Sequence, residues 1–526
     1  MALKRITIDG IANGRADTKY MPKSGQFTAS IAIDPDLPVG DSVLTSGMAV
    51  PTSFKSFSSS AMTSYVIQWI TSPKNALIYA VLKNGSLLSY TAALGSETLV
   101  ATVAGGNAEG AAYYNNYIYI FGTGSSKNDV SRYGPLNNSP TLVDGVWTGS
   151  TLGSQTALTA TTYPQFNQAT LPNHWAFAHS DGNLYFVDYI NGQGLVHKIA
   201  TTKGTNEGDT NNGSAYNVLD LNYGFYPTSI CNFGTDIAVI AIQSTSAAIN
   251  QGQAALFLWD PTNTVTFYRQ IALPDPMATA LTYADGYLTI WSGNAGAGVR
   301  LTQYTGNGDT VSDLVSLEDG QPPLAGAVDN IESGVVWGQQ ITYPSLAAVV
   351  FAYGYDGGDL SSGLQCISRA NDVSIVNPNI TALMLALQSA RASNQLIQAW
   401  ADTGTFAADS YGSTTLASVL NLPMAMIGQR FNIKKIRIPF GGAVDSNTTI
   451  TPKIYFDDES LTLTLATINN TNYPAQRKVL YKQPQIVGNT TQNNFFLQLV
   501  WTGTTALPLL FPILIDIETF EDETNQ

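Results

Sequence analysis

Histidine, the side chain that most readily moves protons at neutral pH, occurs three times in this 526-residue sequence, as His174, His179 and His197. His174 and His179 stand close to Asp181, a grouping that invites a metal reading. On a strand, however, five residues of separation put two side chains on opposite faces and about 16 Å apart. Asp181 is more simply the first residue of a hairpin turn. Two acidic stretches, Asp356-Gly-Gly-Asp359 and Asp457-Asp-Glu459, offer the oxygens a hard cation wants, but neither has the full spacing of a calcium loop. Both read as surface turns. A further set, Asp188, Asp236, Asp260 and Asp356, matters only if the fold gathers single carboxylates at one centre. Their spacing marks no acid and no nucleophile, because that assignment depends on carboxyl separation in three dimensions. No Gly-x-Ser-x-Gly elbow, Walker loop or zinc signature occurs. The expectation is therefore a chain that is not an enzyme, with no catalytic, cofactor-binding or metal-ligating residue assigned and no cofactor.

Cys231 and Cys366 lie far apart without metal-type spacing and read as two small buried hydrophobes. The formal net charge is −14, and no dense Lys/Arg cluster offers the footprint needed to neutralise a phosphate backbone. Nucleic acid is not an expected partner. No run approaches the roughly 20 apolar residues of a membrane helix, and Met1–Gly10 lacks the apolar core of a secretion signal. Aromatic residues are the more informative surplus. Tyr113, Tyr114, Tyr117 and Tyr119 cluster, and Tyr223, Phe225, Tyr226, Tyr353 and Tyr355 sit beside glycines, where rings could serve sugars or interfaces. Packing in the core is the expected role of most.

Few charges (12%) and 46 glycines favour short strands and turns over long salt-bridged helices. The fold class expected is all-β. In Leu281–Trp291, a tight turn at Asp285-Gly286 separates two β-prone runs, the signature of a hairpin. Relatives of this unit recur at 72–81, 113–121, 178–187, 231–240, 331–337 and 390–397, spaced by roughly 40 to 65 residues, as propeller blades with variable outer loops are. Further β-prone runs follow at 86–90, 194–199, 254–259 and 299–304. Thr381–Arg391 reads as a strand because it precedes a turn as the other first strands do. Polar stretches at 201–213 and 305–309 read as surface loops. In a propeller, Asp188, Asp236, Asp260 and Asp356 would be the candidates for a channel-centred glycosidase. Trp259-Asp260 matches the dipeptide of WD repeats, without the accompanying Gly-His.

Three divisions follow: an extended N-terminal arm over 1–55, a roughly seven-bladed β-propeller over 56–426 and a β-sandwich over 427–526. The arm has too little apolar sequence for a core of its own and must lie on another surface if ordered. In the last segment, period-two alternation marks strands around Ile450–Phe456, Leu461–Leu465, Phe495–Trp501 and Leu509–Ile517. Arg430–Ile438 slips phase at Lys434-Lys435, which predicts a bulge. This segment is expected to fold by itself.

The layout of arm, irregular propeller and sandwich, with few charges and many Gly, Thr, Asn and Tyr, resembles the propeller-bearing structural virion proteins of tailed bacteriophages. The resemblance covers most of the chain and rests on architecture and texture, so no functional residue is carried across. It implies a tail hub, nozzle or tip component, assembled in the host cytoplasm and residing in the virion. Its partners would be other virion proteins, further copies of itself in a symmetric assembly and a host surface receptor. The competing readings are a carbohydrate-active propeller enzyme and a carbohydrate-binding adhesin.

Overall fold

The computed structural model describes residues 2–9, 27, 29–34, 48–51, 54–57, 62–124, 129–147, 175–190, 192–200, 216–243, 253–263, 265–294, 298–320, 322–331, 334–354, 363–370, 378–387, 394–402, 404–411, 416–456, 461–482, 493–505 and 507–520. Strands dominate, and the described regular structure beyond them is a single 3-10 turn at Ala325–Ala327.

Seven four-stranded antiparallel sheets follow one another along the chain. Their first strands are Val66–Thr71, Gly110–Tyr114, Ala176–Ala178, Phe225–Phe233, Met277–Ala284, Val328–Ile331 and Asn379–Leu387. Each first strand touches the next, and the last touches the first, which closes a ring. The chain is all-β, and this ring is a β-propeller. Every turn-then-strand unit found in the sequence runs into the second strand of one sheet; the turns at 332–333 and 388–393 lie outside the described residues. The physical cause is clearest at Asp285-Gly286, where φ values of 54° and 85° give the primed turn that matches strand twist and Ala284 pairs with Tyr287. Asn115 and Asn116 do the same at φ 47° and 71°, since Asn tolerates the left-handed region. Residues 379–387 form a strand, as the turn signal after them predicts.

A second regularity was not visible as a repeat. Four first strands carry a bulge near their start, at Ile67, Thr228, Thr279 and Thr381. The bulged threonines are buried and two of them bridge between segments: Thr228 Oγ1 donates to the Ala278 carbonyl of the next sheet at 2.6 Å, and Thr279 Oγ1 donates to Pro323 O at 2.6 Å.

The strand pairing departs from the expected divisions. Phe54–Ser56, from the stretch read mostly as arm, is the fourth strand of the seventh sheet and pairs with Thr405–Tyr411. Ring closure thus uses chain from both sides of the propeller, and the first and seventh sheets share one core, with Val66 and Trp69 among Ala382, Ile397 and Ala408. Ala2–Ile8 pairs antiparallel with Ile513–Thr519. Ala29–Ile31 pairs with Leu416–Asn421, which in turn pairs with Asn494–Gly503. Residues 416–421, read as propeller, therefore belong to the C-terminal sheets. Most C-terminal strands lie in two sheets, one ordered Ala2–Ile8, Ile513–Thr519, Phe431–Pro439, Lys478–Lys482, the other running from Ala29–Ile31 through Leu416–Asn421, Asn494–Gly503 and Thr448–Phe456 to Thr462–Thr464, and a short third sheet joins Ile33–Asp34, Met48–Pro51 and Leu509–Leu510. One apolar cluster lies between them, including Ile8, Phe27, Ile33, Leu420, Ile454, Leu497, Trp501 and Ile515. Ile8, Phe27, Ile33, Leu420 and Leu422 of this cluster come from outside 427–526, the segment expected to fold by itself. The predicted bulge is present, with the register shifting between Ile433 and Lys435.

Candidate functional site

The centre of the ring is filled. After the fifth sheet the chain turns inward through Pro322-Pro323 to Leu324–Ala327, which touches the first strands of the first, fifth and seventh sheets. Leu324 and Ala327 are 3% and 0% exposed and join a core cluster with Tyr226, Met277, Val336 and Ile380, so the plug is packed by four sheets at once. Only glycine fits at 326, because a Cβ there would collide with the carbonyl oxygen of the bulged Ile67. The root of the plug is tied by Asp319, whose carboxylate accepts from Thr342 N (2.8 Å), Thr342 Oγ1 (2.7 Å) and Tyr343 N (2.8 Å). Gly320, at φ 86°, leaves no room for a side chain beside Gln339 and the Gln340 carbonyl. The signal for this feature was present as Pro-Pro followed by Leu-Ala-Gly-Ala, a rigid entry into a segment with little side-chain bulk. No sequence rule ties such a run to the middle of a ring.

The carboxylates do not converge. Asp188 lies within the second strand of the third sheet, fully buried, and takes bonds from Tyr189 N at 2.7 Å and His197 Nε2 at 3.0 Å. Asp236 opens the second strand of the fourth sheet and accepts from the Tyr268 hydroxyl at 2.7 Å. Asp260 caps the turn after the third strand of that sheet, held to about 2 by hydrogen bonds from Asn263 and Thr262. Asp356 and Asp359, like Asp457, Asp458, Glu459 and His174, lie outside the described residues. Trp259, the partner of Asp260 in the WD dipeptide, is 2% exposed and packs edge-on to Tyr185.

Further acids that sequence reasoning passed over sit apart from one another. Asp409, in the seventh, accepts from Trp400 Nε1 at 2.8 Å. Asp329, in the sixth, accepts from Asn330 N and Leu385 N at 2.8 and 2.9 Å, and burial pushes its carboxyl above the usual range. Glu109 pairs with Lys83 between the first and second sheets. A lone acid in an apolar strand gives no periodic signal, which is why none of these was singled out. Each pins strands together through a bond that desolvation strengthens.

Asp181 is the turn residue expected of it. Its carboxylate receives the Tyr185 hydroxyl at 2.6 Å and Asn183 N at 3.0 Å, and His179 Nδ1 lies 3.1 Å away. Burial works to raise this carboxyl, and the bonds from Tyr185, Asn183 and His179 outweigh it and hold it low. His179 Nε2 is buried among Phe177 and Tyr185 rings without a partner. Among the described residues no group of three or more His, Cys, Asp or Glu is placed to hold a metal. Cys366 is buried, and Cys231, partly accessible, packs against the apolar cluster of the fourth and fifth sheets, where burial raises its thiol. No helix is long and apolar enough to cross a membrane among the described residues.

Most of the aromatic surplus packs inward. Tyr114, Tyr119, Phe225 and Tyr226 are at most 7% exposed, but Tyr223 is 76% exposed, lying over Gly192. Lys198, Val218, Leu219, Asp220, Trp259, Pro261 and Val265 line a cleft of about 400 Å³ between the third and fourth sheets.

Among solved structures, the chain is similar to the WD40 β-propeller domain of Doa1, with 11% identity and a TM-score of 0.41, covering 69% of this chain and 98% of that one. The β-propeller domain of Cps50 (Swd1) from Myceliophteria thermophila matches at 8% identity and a TM-score of 0.41, over 69% of this chain and 100% of the other. The computationally designed protein Ika8 matches at 13% identity and a TM-score of 0.37, over 70% and 95%. No family model matches the sequence, and no curated protein does.

Proposed function

We propose that the chain is a non-enzymatic structural component of a phage virion, placed in the tail, where it acts as an assembly hub or presents surfaces to neighbouring tail proteins or a host receptor. The finer architecture in this reading is a seven-bladed propeller with a C-terminal β-sandwich, to which the arm contributes strands. One observation carries the reading: Leu324–Ala327 packs into the centre of the ring, the place where a channel-centred reaction would need space. A plugged ring whose buried carboxylates are each tied to a strand or ring neighbour is a rigid platform. The glycosidase reading would need two carboxyls flanking one bond, and the described candidates sit in different sheets or at a turn. The adhesin reading keeps one supporting feature, the exposed Tyr223. The test is localisation. Particles purified from the cells that encode this chain should contain it in stoichiometric amount, and gold-labelled antibodies should decorate their tails. Particles that lack it, or turnover of a glycoside abolished by Asp188→Asn, would overturn the proposal.

A further inference from the structure

The acid of this molecule is unevenly placed. Residues 54–415 contain 11 Lys and Arg against 24 Asp and Glu, so the ring carries nearly all of the net charge of −14, and the remainder of the chain is close to balanced, with 13 against 14. Within that remainder, the four strands Ala2–Ile8, Phe431–Pro439, Lys478–Lys482 and Ile513–Thr519 hold seven of the 24 basic residues and two of the 38 acidic ones. Alternation puts most of them on one side. Ile436, Ile438, Val479 and Tyr481 are buried in the core, while Lys435, Arg437, Lys478 and Lys482 stand on the opposite, accessible face. The two acids of this face are already engaged: Arg5 Nε lies 2.7 Å from Asp516 and Lys434 Nζ 2.6 Å from Glu518. Lys435, Arg437, Lys478 and Lys482 make no ion pair among the described residues.

Lys435 and Lys482 are moreover directly opposite each other in the ladder. Like charges in that position destabilise a sheet, a cost that Asp516, opposite Lys435 on its other side, offsets only in part. The second sheet of the same unit takes the contact with the ring, through Ile31 and Ala32 among Ile341 and Ala347, and Asn421 Nδ2 donates to the Tyr343 hydroxyl at 3.0 Å. Tyr343 lies between the second and third strands of the sixth sheet. In an antiparallel sheet that is the end opposite the first-to-second and third-to-fourth turns. At this far end the described turns present Glu97, Asp181, Asp260, Asp285 and Asp309 against Lys74; Asp309 keeps its side chain 81% exposed although Arg269 Nε lies 3.5 Å from it. The segment Ala29–Asp34 also touches Gly363–Arg369, the outer strand of the sixth sheet, so the basic face and the acidic turns are two separate patches.

We infer that the basic sheet face of one copy docks on the acidic turn face of the propeller of a second copy, in a head-to-tail contact. Such a contact uses two different patches and so propagates into a ring or a stack. The partner follows from charge: the acidic surface complementary to this face is the chain's own ring. The inference rests on the multi-copy reading above only in requiring that copies meet.

Sedimentation velocity on the full-length protein tests it, at low ionic strength and again in molar salt, where screening cuts electrostatic reach to about 3 Å. The wild type should associate at low salt and dissociate at high salt. Lys478→Glu with Lys482→Glu should weaken association at least tenfold while the melting temperature holds or rises, because Lys482→Glu turns a like-charge pair into an opposite one. A merely structural role would move both readouts downward. Asp285→Lys with Asp309→Lys should weaken association to a similar degree, and a mixture of the two variants should recover it. Self-association that ignores both variants overturns this contact while leaving a multi-copy assembly standing. A wild type that stays monomeric at low salt overturns it too, as does loss of association in the basic-face variant alone, which would point to a different polyanionic partner.

Discussion

The ring and the C-terminal unit bury their apolar residues in different ways. In the ring the core is divided among several clusters, most spanning neighbouring sheets, such as Tyr79 with Ile118 and Tyr133 between the first and second, or Tyr185 with Val239 and Trp259 between the third and fourth. In the C-terminal unit a single cluster runs between two sheets and draws on residues from 8 to 517. A divided core is a sum of neighbour terms, in the manner of repeat proteins, and it needs only local sequence plus one closing strand. A single core assembled from distant segments is complete only when every segment has arrived. The difference shows that the two units are not independent beads on a string: the N-terminal stretch supplies strands to both.

The largest expected effect breaks that dependence. A fragment of residues 428–526 should not fold, because it lacks five buried members of its own core, each contributing about 1.5–3 kcal/mol. Circular dichroism and proton NMR dispersion decide the matter, and a folded spectrum would show that the C-terminal strands repack without help. Restoring 1–34 and 416–427 through a flexible linker should recover the structure.

Two glycines sharpen the comparison inside the ring. Gly326→Val should cost about 3 kcal/mol, at the upper end for overpacking, because the colliding group is a backbone carbonyl that cannot rotate away. Gly286→Ala should cost about 1 kcal/mol, for the left-handed backbone alone, since nothing lies within 4 Å of its added Cβ. Urea melts followed by tryptophan fluorescence give both numbers, and equal costs would mean that the plug is not tightly packed. In the C-terminal sheet the expected sign reverses: Lys482→Glu should stabilise by about 0.2–1 kcal/mol, read as a shift in urea midpoint.

The smallest effect belongs to Asp516. The hydrogen bond from Arg5, with Lys435 and Arg437 adding to it, holds this carboxyl below its ordinary value of 3.8. A depressed folded value means that the contribution is present above 3.8 and is lost as the pH falls through the folded value. Asp516→Asn should therefore trim stability at neutral pH and leave it unchanged in strong acid. A loss of equal size in both conditions would assign the effect to packing.

The sequence by itself determined the all-β class, the turns and the bulge at Lys434-Lys435, because these are local. Asp285-Gly286 and Asn115-Asn116 can adopt left-handed backbone wherever they sit, and period-two alternation in Phe495–Trp501 or Ile513–Ile517 marks one buried face whatever covers it. Only the tertiary structure decided which strands meet. Nothing in Ala2–Ile8 names Ile513–Thr519 as its neighbour, and nothing in Phe54–Ser56 says that it closes a sheet begun at residue 379, because pairing across such distances is selected by the packing of the whole chain. The same holds for the site. Pro322–Ala327 is a plain run until strands of the first, fifth, sixth and seventh sheets pack against it, and Lys435 opposite Lys482 becomes a costly pair only when a ladder sets them side by side.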